Sequence, residues 1–330
     1  MIKKYLLFFL GWLMFNNPAS GVAEVVHSNT VYTYEKLSAD LQKLNQIYPQ
    51  EVSIKKIGMS HFGRNVWGVR LGKGEKNILM IGAHHGREWL TSSLLMVMLE
   101  QYAKAYHSGE QYGPFTTRIF DEISIWFVPM LNPDGVTIQQ QGLQALDVGS
   151  SDKLFEMNGY SPDFSKWKAN GLGVDLNRQY PEGWNHLKNM TPIPWYELYK
   201  GRISQQESEV RAITEFTKQL NPLIAVSYHS SGREIFWKYK NGDYLRRDKL
   251  LAEKVSLLTG YSLGTPLKNA IGGGFTDWFI TNFHRPGMTL EISPLVGETN
   301  PPLSVFSEEW KRNELVGILL ANEAVNMKNQ

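Results

Sequence analysis

Apolar residues along the chain fall into two rhythms. Continuous apolar runs at Ile78 to Ala83, Ile123 to Met130, Leu223 to Tyr228 and Pro286 to Ile292 have the length and bounding turns of buried strands. Val52 to Ile57 and Asn65 to Leu71 predict two more strands, with Gly63-Arg64 in the connection. Between these runs the spacing turns helical. Leu37, Leu41, Leu44 and Ile47 mark a helix over Tyr34 to Tyr48, closed by Pro49. Leu90 to Tyr102, Glu207 to Leu220 and Arg247 to Thr259 carry the same period, and Glu309 to Asn326 predicts one closing helix. A short helical turn, Phe275 to Ile280, follows Gly272-Gly273-Gly274. Strands that alternate with helices predict a single α/β domain. Asn132-Pro133-Asp134-Gly135 has turn chemistry, because proline fixes φ, Asp bonds its own backbone and glycine accepts positive φ. Residues 136 to 207 show little periodicity, and so long an irregular span predicts a functional loop.

Three of the apolar runs end in groups that can do chemistry. The first leads into His84-His85-Gly86-Arg87-Glu88, another ends at His229, and the last carries Glu291 among apolar neighbours. In open α/β sheets ligands gather outside the carboxyl ends of the strands, where these side chains converge. Imidazole plus carboxylate is the ligand mix of a catalytic zinc, where three protein ligands leave one position for water. His85-x-x-Glu88 supplies two ligands and a distant His229 a third; His84 to Glu88 is also a workable spacing. Alternation along the strand points His84 to the side opposite His85. His27, His61, His107, His186 and His284 read as surface or packing residues.

Composition narrows the choice. The 330 residues are 42% hydrophobic and 12% aromatic, enough for a sizeable core. Lys+Arg 34 against Asp+Glu 32 leaves a net charge of +2, which argues against a nucleic-acid partner. With no cysteine, disulfides, thiolate metal sites and cysteine nucleophiles are excluded, so His, Asp or Glu must hold any metal. Lys3-Lys4, the apolar stretch Tyr5 to Phe15, and small Gly21 and Ala23 have the form of a signal peptide cleaved after Ala23. The expected division is a leader over 1–23 and one catalytic domain over 24–330, with a secreted or cell-wall-associated product and no stable membrane partner after signal removal.

The ordered blocks His85-Gly-Arg-Glu-Trp89, Asn132-Pro-Asp-Gly135, Gly173-Val-Asp-Leu-Asn-Arg178, Ser227-Tyr-His229, Gly273-Gly-Phe-Thr-Asp-Trp278 and Thr289-Leu-Glu-Ile292 together resemble the zinc metallocarboxypeptidases, relatives of pancreatic carboxypeptidase A. The resemblance implies one domain with a mixed, mostly parallel twisted sheet and helices on both faces. It implies one zinc ion on His85, Glu88 and His229, since two residues separate the paired ligands in that family, with Glu291 as general base. Lys168 falls where the family stabilises the oxyanion with arginine, with Arg87 as a nearby second cation. Asn177 and Arg178 are implied to hold a substrate carboxylate. The family's mobile tyrosine corresponds to Asn269 and its specificity residue to Thr276, so this chain departs from the digestive pattern at both. A narrower set, Phe164 to Asn170, Tyr228-His-Ser-Ser-Gly232, Gly272 to Phe279 and Glu291-Ile-Ser-Pro294, resembles the bacterial γ-D-glutamyl-L-diamino acid peptidases. That likeness implies peptidoglycan stem peptides as substrate. The rival expectations are a broad carboxypeptidase acting on ordinary peptides and a catalytically silent wall-binding protein.

Overall fold

In chain order the secondary structure is α1 (Tyr34–Ile47), β1 (Val52–Met59), β2 (Asn65–Leu71), β3 (Lys76–Ile81), α2 (Leu90–Ser108) and a small ribbon, β4 (Gln111–Tyr112) with β5 (Phe115–Thr116). Then come β6 (Ile123–Val128), α3 (Pro133–Gln141), α4 (Ser151–Met157), α5 (Ser208–Leu220), β7 (Ile224–Ser230) and β8 (Glu234–Phe236). The chain closes with α6 (Leu245–Thr259), β9 (Ser262–Leu263), α7 (Phe275–Phe283), β10 (Gly287–Ile292), α8 (Phe306–Asn313) and α9 (Val316–Asn326). This computed structural model describes residues 23–146, 150–266 and 271–327. The leader and Asn269 therefore lie outside the described residues, apart from Ala23.

The continuous apolar runs form the centre of one eight-stranded sheet, in the order β1-β2-β6-β3-β7-β10-β8-β9. β6, β3, β7 and β10 run parallel to their neighbours in that group. Strands buried on both faces have no polar alternation, which is why they read as unbroken apolar runs. Successive β3 side chains still divide between the faces. Ile78 and Met80 join the core under α2 and α9, while Leu79 and Ile81 pack with Val210, Ile213 and Phe216 of α5 and Phe275, Trp278 and Phe279 of α7. Helices thus cover both faces of a mixed, mostly parallel sheet in a single α/β domain.

Three elements differ from the sequence expectation. Asn132-Pro133-Asp134-Gly135 is no free turn but the start of α3: the Asn132 side chain accepts from Gly135 N–H at 2.9 Å, and Pro133 occupies the first turn. The closing helix is broken into α8 and α9. The Tyr102 hydroxyl, reaching over from α2, donates to Glu314 O at 2.7 Å and accepts from Ile318 N–H at 3.2 Å. It takes the place of the direct bond between these two backbone groups, an inserted side chain being a recognised cause of a helix break. Third, the irregular span contains α4 and its own apolar cluster of Ile138, Ala145, Leu154, Phe164, Trp167 and Ala169, which stiffens the loop over the sheet.

One buried charge faces this assembly at a cost. Glu209, in the first turn of α5, is fully buried, and its Oε1 has no partner. Burial, with Asp134 and Glu207 nearby, pushes its carboxyl up to about 7. A folded-state pKa above the unfolded value means the native state holds the extra proton, so stability falls as pH rises from about 4.5 to about 7 and then levels. Glu209→Gln should therefore stabilise the protein at pH 8 by about 3 kcal/mol, with the gain vanishing near pH 4. Urea unfolding at both pH values measures it, and an equal effect at the two would contradict the assignment.

Candidate active site

The site is built at the carboxyl end of β3. Past Ile81 the chain continues the sheet's bonding, with Gly82 N–H on Val128 O, then turns through Ala83 at φ +46°. His85 precedes the single turn Gly86–Glu88, from which α2 departs. The Asn132 amide holds this turn by donating to His84 O and Ala169 O, each at 3.1 Å. Gly86 N–H bonds Lys168 O at 2.9 Å. A side chain at residue 86 would put Cβ 2.4 Å from Gly135 O, so this close approach requires glycine. The metal turn, the start of α3 and the loop carrying Lys168 are thereby locked into one unit.

His85, Glu88 and His229 come together, their candidate ligand atoms all within 4.8 Å of one another. His85 Nδ1 lies 2.8 Å from Glu88 Oε1, and His229 Nδ1 lies 2.9 Å from Glu88 Oε2. The two Nδ1 atoms stand 3.1 Å apart. Burial raises the Glu88 carboxyl, but the two imidazoles outweigh it and hold the group well below the usual carboxylate range. Burial also lowers the pKa of His229, so its ring is neutral and offers a lone pair. The outer ring nitrogens are oriented from behind: Asp175 Oδ1 is 3.2 Å from His85 Nε2, and Ser227 Oγ is 3.0 Å from His229 Nε2. Two oriented imidazoles and a carboxylate converging by their donor atoms suit a zinc ion.

His84 does not reach the cluster's open side, but neither does it face a separate region. It is fully buried and stacks on His229 at 5.3 Å between centroids. Its Nδ1 is 3.1 Å from Ser227 Oγ and its Nε2 is 2.9 Å from the Tyr180 hydroxyl. Burial holds its pKa well below the usual value. The chain turns through Ala83 just before it, and His84 ends as a prop stacked on His229.

Glu291 pairs in register with His229 across the parallel β7–β10 ladder, which puts its carboxylate beside the cluster. Burial pushes its pKa well above the usual range, with Glu88 adding to the shift and Lys168 opposing it. Lys168 Nζ lies 3.7 Å from Asp175 Oδ2. Asp175 is buried, yet Lys168 and His85 keep its carboxyl well below the ordinary range. Arg178 is buried with Nη1 donating to Asn177 O at 2.8 Å, and its Nε has no partner. Asn177 accepts from Phe275 N–H at 3.0 Å, tying this loop to α7. Arg87 lines the same cavity, but its guanidinium is engaged by Glu197 at 3.1 Å and Lys166 O at 3.0 Å. Thr276 Oγ1 meets Thr289 Oγ1 at 2.7 Å deeper in the cavity. His85, Glu88, His229, Glu291, Lys168, Asn177, Arg178, Arg87 and Thr276 open onto one cavity of about 540 Å³.

Asp175, Ser227 and Glu234 have no role in the reading of the sequence. Asp175 sits inside the block Gly173 to Arg178, two residues before Asn177, so its position could have flagged it. Ser227 alternates with His229 on one strand. Only the pairing of β8 with β10 brings Glu234 opposite Glu291.

Comparison with known proteins agrees with this geometry. The chain matches the zinc carboxypeptidase (peptidase M14) family over residues 37–315. It is 32% identical to the gamma-D-glutamyl-L-diamino acid endopeptidase 1 of Lysinibacillus sphaericus over 307 residues, 90% of this chain and 73% of that protein. Among solved structures, thrombin-activatable fibrinolysis inhibitor superimposes with a TM-score of 0.76 at 17% identity, covering 92% of this chain and 80% of the other. Carboxypeptidase A of Helicoverpa armigera gives a TM-score of 0.67 at 19% identity, covering 90% and 74%. Ordered sequence blocks, sheet and match over most of the chain lead to one conclusion: this protein belongs to the zinc carboxypeptidase family of metallopeptidases.

Proposed function

We propose that this metallopeptidase is exported and hydrolyses the γ-D-glutamyl–diaminopimelate bond of peptidoglycan stem peptides. The observation that carries the reading is the convergence of His85, Glu88, His229 and Glu291 with Lys168 and Arg178 in one cavity, in a chain 32% identical to a γ-D-glutamyl-L-diamino acid endopeptidase. The leader-like segment before Ala23 supports export. His85, Glu88 and His229 hold the metal. Bound there, zinc supplies Lewis acidity, polarising a carbonyl and lowering the pKa of a water molecule to about 7.

The protein's own groups do the rest. Glu291, made more basic by its surroundings, takes a proton from the attacking water and returns it to the leaving amine. Lys168 faces the oxygen that becomes negative as the carbonyl turns tetrahedral. Arg87, held by Glu197, adds positive charge at the rim and fixes the loop. Arg178, with Asn177 beside it, takes a carboxylate of the substrate, for which a guanidinium fork is suited. Thr276 meets the side chain beyond the scissile bond. The second reading, a broad carboxypeptidase, rests on Arg178, since a carboxylate clamp also fits an ordinary peptide end.

Digestion of L-Ala-γ-D-Glu-diaminopimelate followed by mass spectrometry separates the two readings. Release of diaminopimelate is expected; no release, with ready cleavage of a C-terminal leucine peptide, would favour the second. Glu291→Gln should lower kcat by about 10² to 10⁴-fold while each chain still binds one zinc ion. Hydrolysis surviving that change would remove Glu291 from its role. Asp175→Asn should weaken zinc binding by about 10- to 100-fold in chelator competition, because His85 loses its orienting carboxylate. An unchanged affinity would make Asp175 a purely structural group.

A further inference from the structure

The floor of the cavity carries a carboxylate that the hydrolytic reaction does not use. β10 turns Thr289 and Glu291 toward the cavity while Met288, Leu290 and Ile292 join the core. β8 lies antiparallel beside it, with Glu234 opposite Glu291 and Phe236 opposite Thr289. Directly opposed residues share one face of a sheet, so Glu234 and Phe236 continue the same floor. Neighbouring strands stand about 4.8 Å apart, which places Glu234 one strand farther from the metal cluster than the general base.

Among the described residues no cation neutralises Glu234. Arg233, its chain neighbour, is committed to Glu308 and Glu309 at 2.9 and 2.7 Å. Arg87 is engaged by Glu197, Lys168 stands near Asp175, Arg178 donates to Asn177 O, and the exposed Lys238 lines the cavity without an ion pair to Glu234. Asp277, the acid on the cavity wall besides Glu88, Glu291 and Glu234, already accepts from Gly272 N–H at 2.7 Å. Two carboxylates directly opposite on neighbouring strands repel when both are ionised, and Glu234 faces Glu291 in this way. An incoming positive charge beside that rung removes the repulsion.

We infer that Glu234 is a specificity-determining residue, binding the side-chain ammonium of a diamino acid whose other amine is released by hydrolysis. The inference rests on the proposed function in taking the site to be a peptidase cleaving before such a residue, and it adds what selects that residue. Arg178 and Glu234 then read opposite charges of one substrate: a carboxylate on one side and an ammonium on the other. Phe236 and Ile280 line the same cavity and offer apolar surface to the methylenes between them.

Four substrates test it, combining a γ-D-glutamyl or an ordinary α-peptide linkage with L-lysine or L-norleucine as the leaving residue. Lysine and norleucine differ in the ammonium, so their kcat/KM ratio isolates its recognition. The native enzyme should prefer lysine, and Glu234→Gln should shrink that ratio by about 10- to 100-fold, mainly through KM. Glu234→Asp should restore part of it, and zinc content with a thermal melt checks that each variant is folded. The inference is overturned if the native enzyme has no preference for lysine or if the ratio is unchanged in Glu234→Gln. It also falls if that variant slows both substrates equally with a common shift of pH profile, for Glu234 would then act only through Glu291. If the γ-linked pair resists cleavage while the α-linked pair shows a Glu234-dependent preference, the linkage reading fails and the inference stands. Cleavage of the γ-linked pair with no dependence on Glu234 would instead uphold the linkage reading and overturn the inference.

Discussion

The site depends on the side chain of Asn132 more than on any other single group. One amide accepts the N–H that begins α3 and donates to carbonyls at the end of β3 and in the Lys168 loop. Because all three segments meet on one planar group, none can shift without breaking bonds held by the others. Gly86 and Gly135 let the backbones close around it, since a Cβ on either would collide with a carbonyl oxygen at 2.4 or 2.3 Å. A catalytic constellation must be held within fractions of an ångström, and here backbone contact supplies that precision.

Around this lock the charges are arranged in sequence. Asp175 lies behind His85, Lys168 and Arg178 lie around Asp175, and Glu88 joins the two imidazoles. Asp175 and Glu88 are thus compensated by cations or ring nitrogens, as burial in a low-dielectric interior demands. Glu291 differs from them: burial raises its proton affinity, and Glu88 and Glu234 on its flanks add to the effect. Lys168 and Arg178 pull down both carboxyls; at Asp175 His85 acts with them, and at Glu291 Glu88 and Glu234 act against them.

The central strands and most helices were legible because their periods are long and unmixed. His85, Glu88, His229 and Glu291 stood out for a related reason, each being a polar group at or near the end of an apolar run, where burial is costly without a purpose. The remainder was hidden by physics that acts only after folding. Glu234 lies in a three-residue strand too short to show a period, and its meaning comes from the residue across the ladder. The break between α8 and α9 is set by Tyr102, which lies more than two hundred residues earlier. Asn-Pro-Asp-Gly can begin a helix as easily as it can turn a chain, so the local sequence alone did not separate the two. His84 and His85 look equivalent in sequence, and only the fold brings Tyr180 and Ser227 to the ring nitrogens of His84.

Tyr102 carries one more consequence. α2 begins two residues after Glu88, and three turns further on its tyrosine is spliced into the helical ladder of the chain's last elements. A rigid rod therefore links the metal turn to the closing helices of the protein. Regions joined in this way open to solvent as one cooperative unit rather than by separate fraying. The amide of Ile318, far from any substrate, would then report on the integrity of the metal turn by its rate of hydrogen exchange, and a ligand that steadies one end would slow exchange at the other.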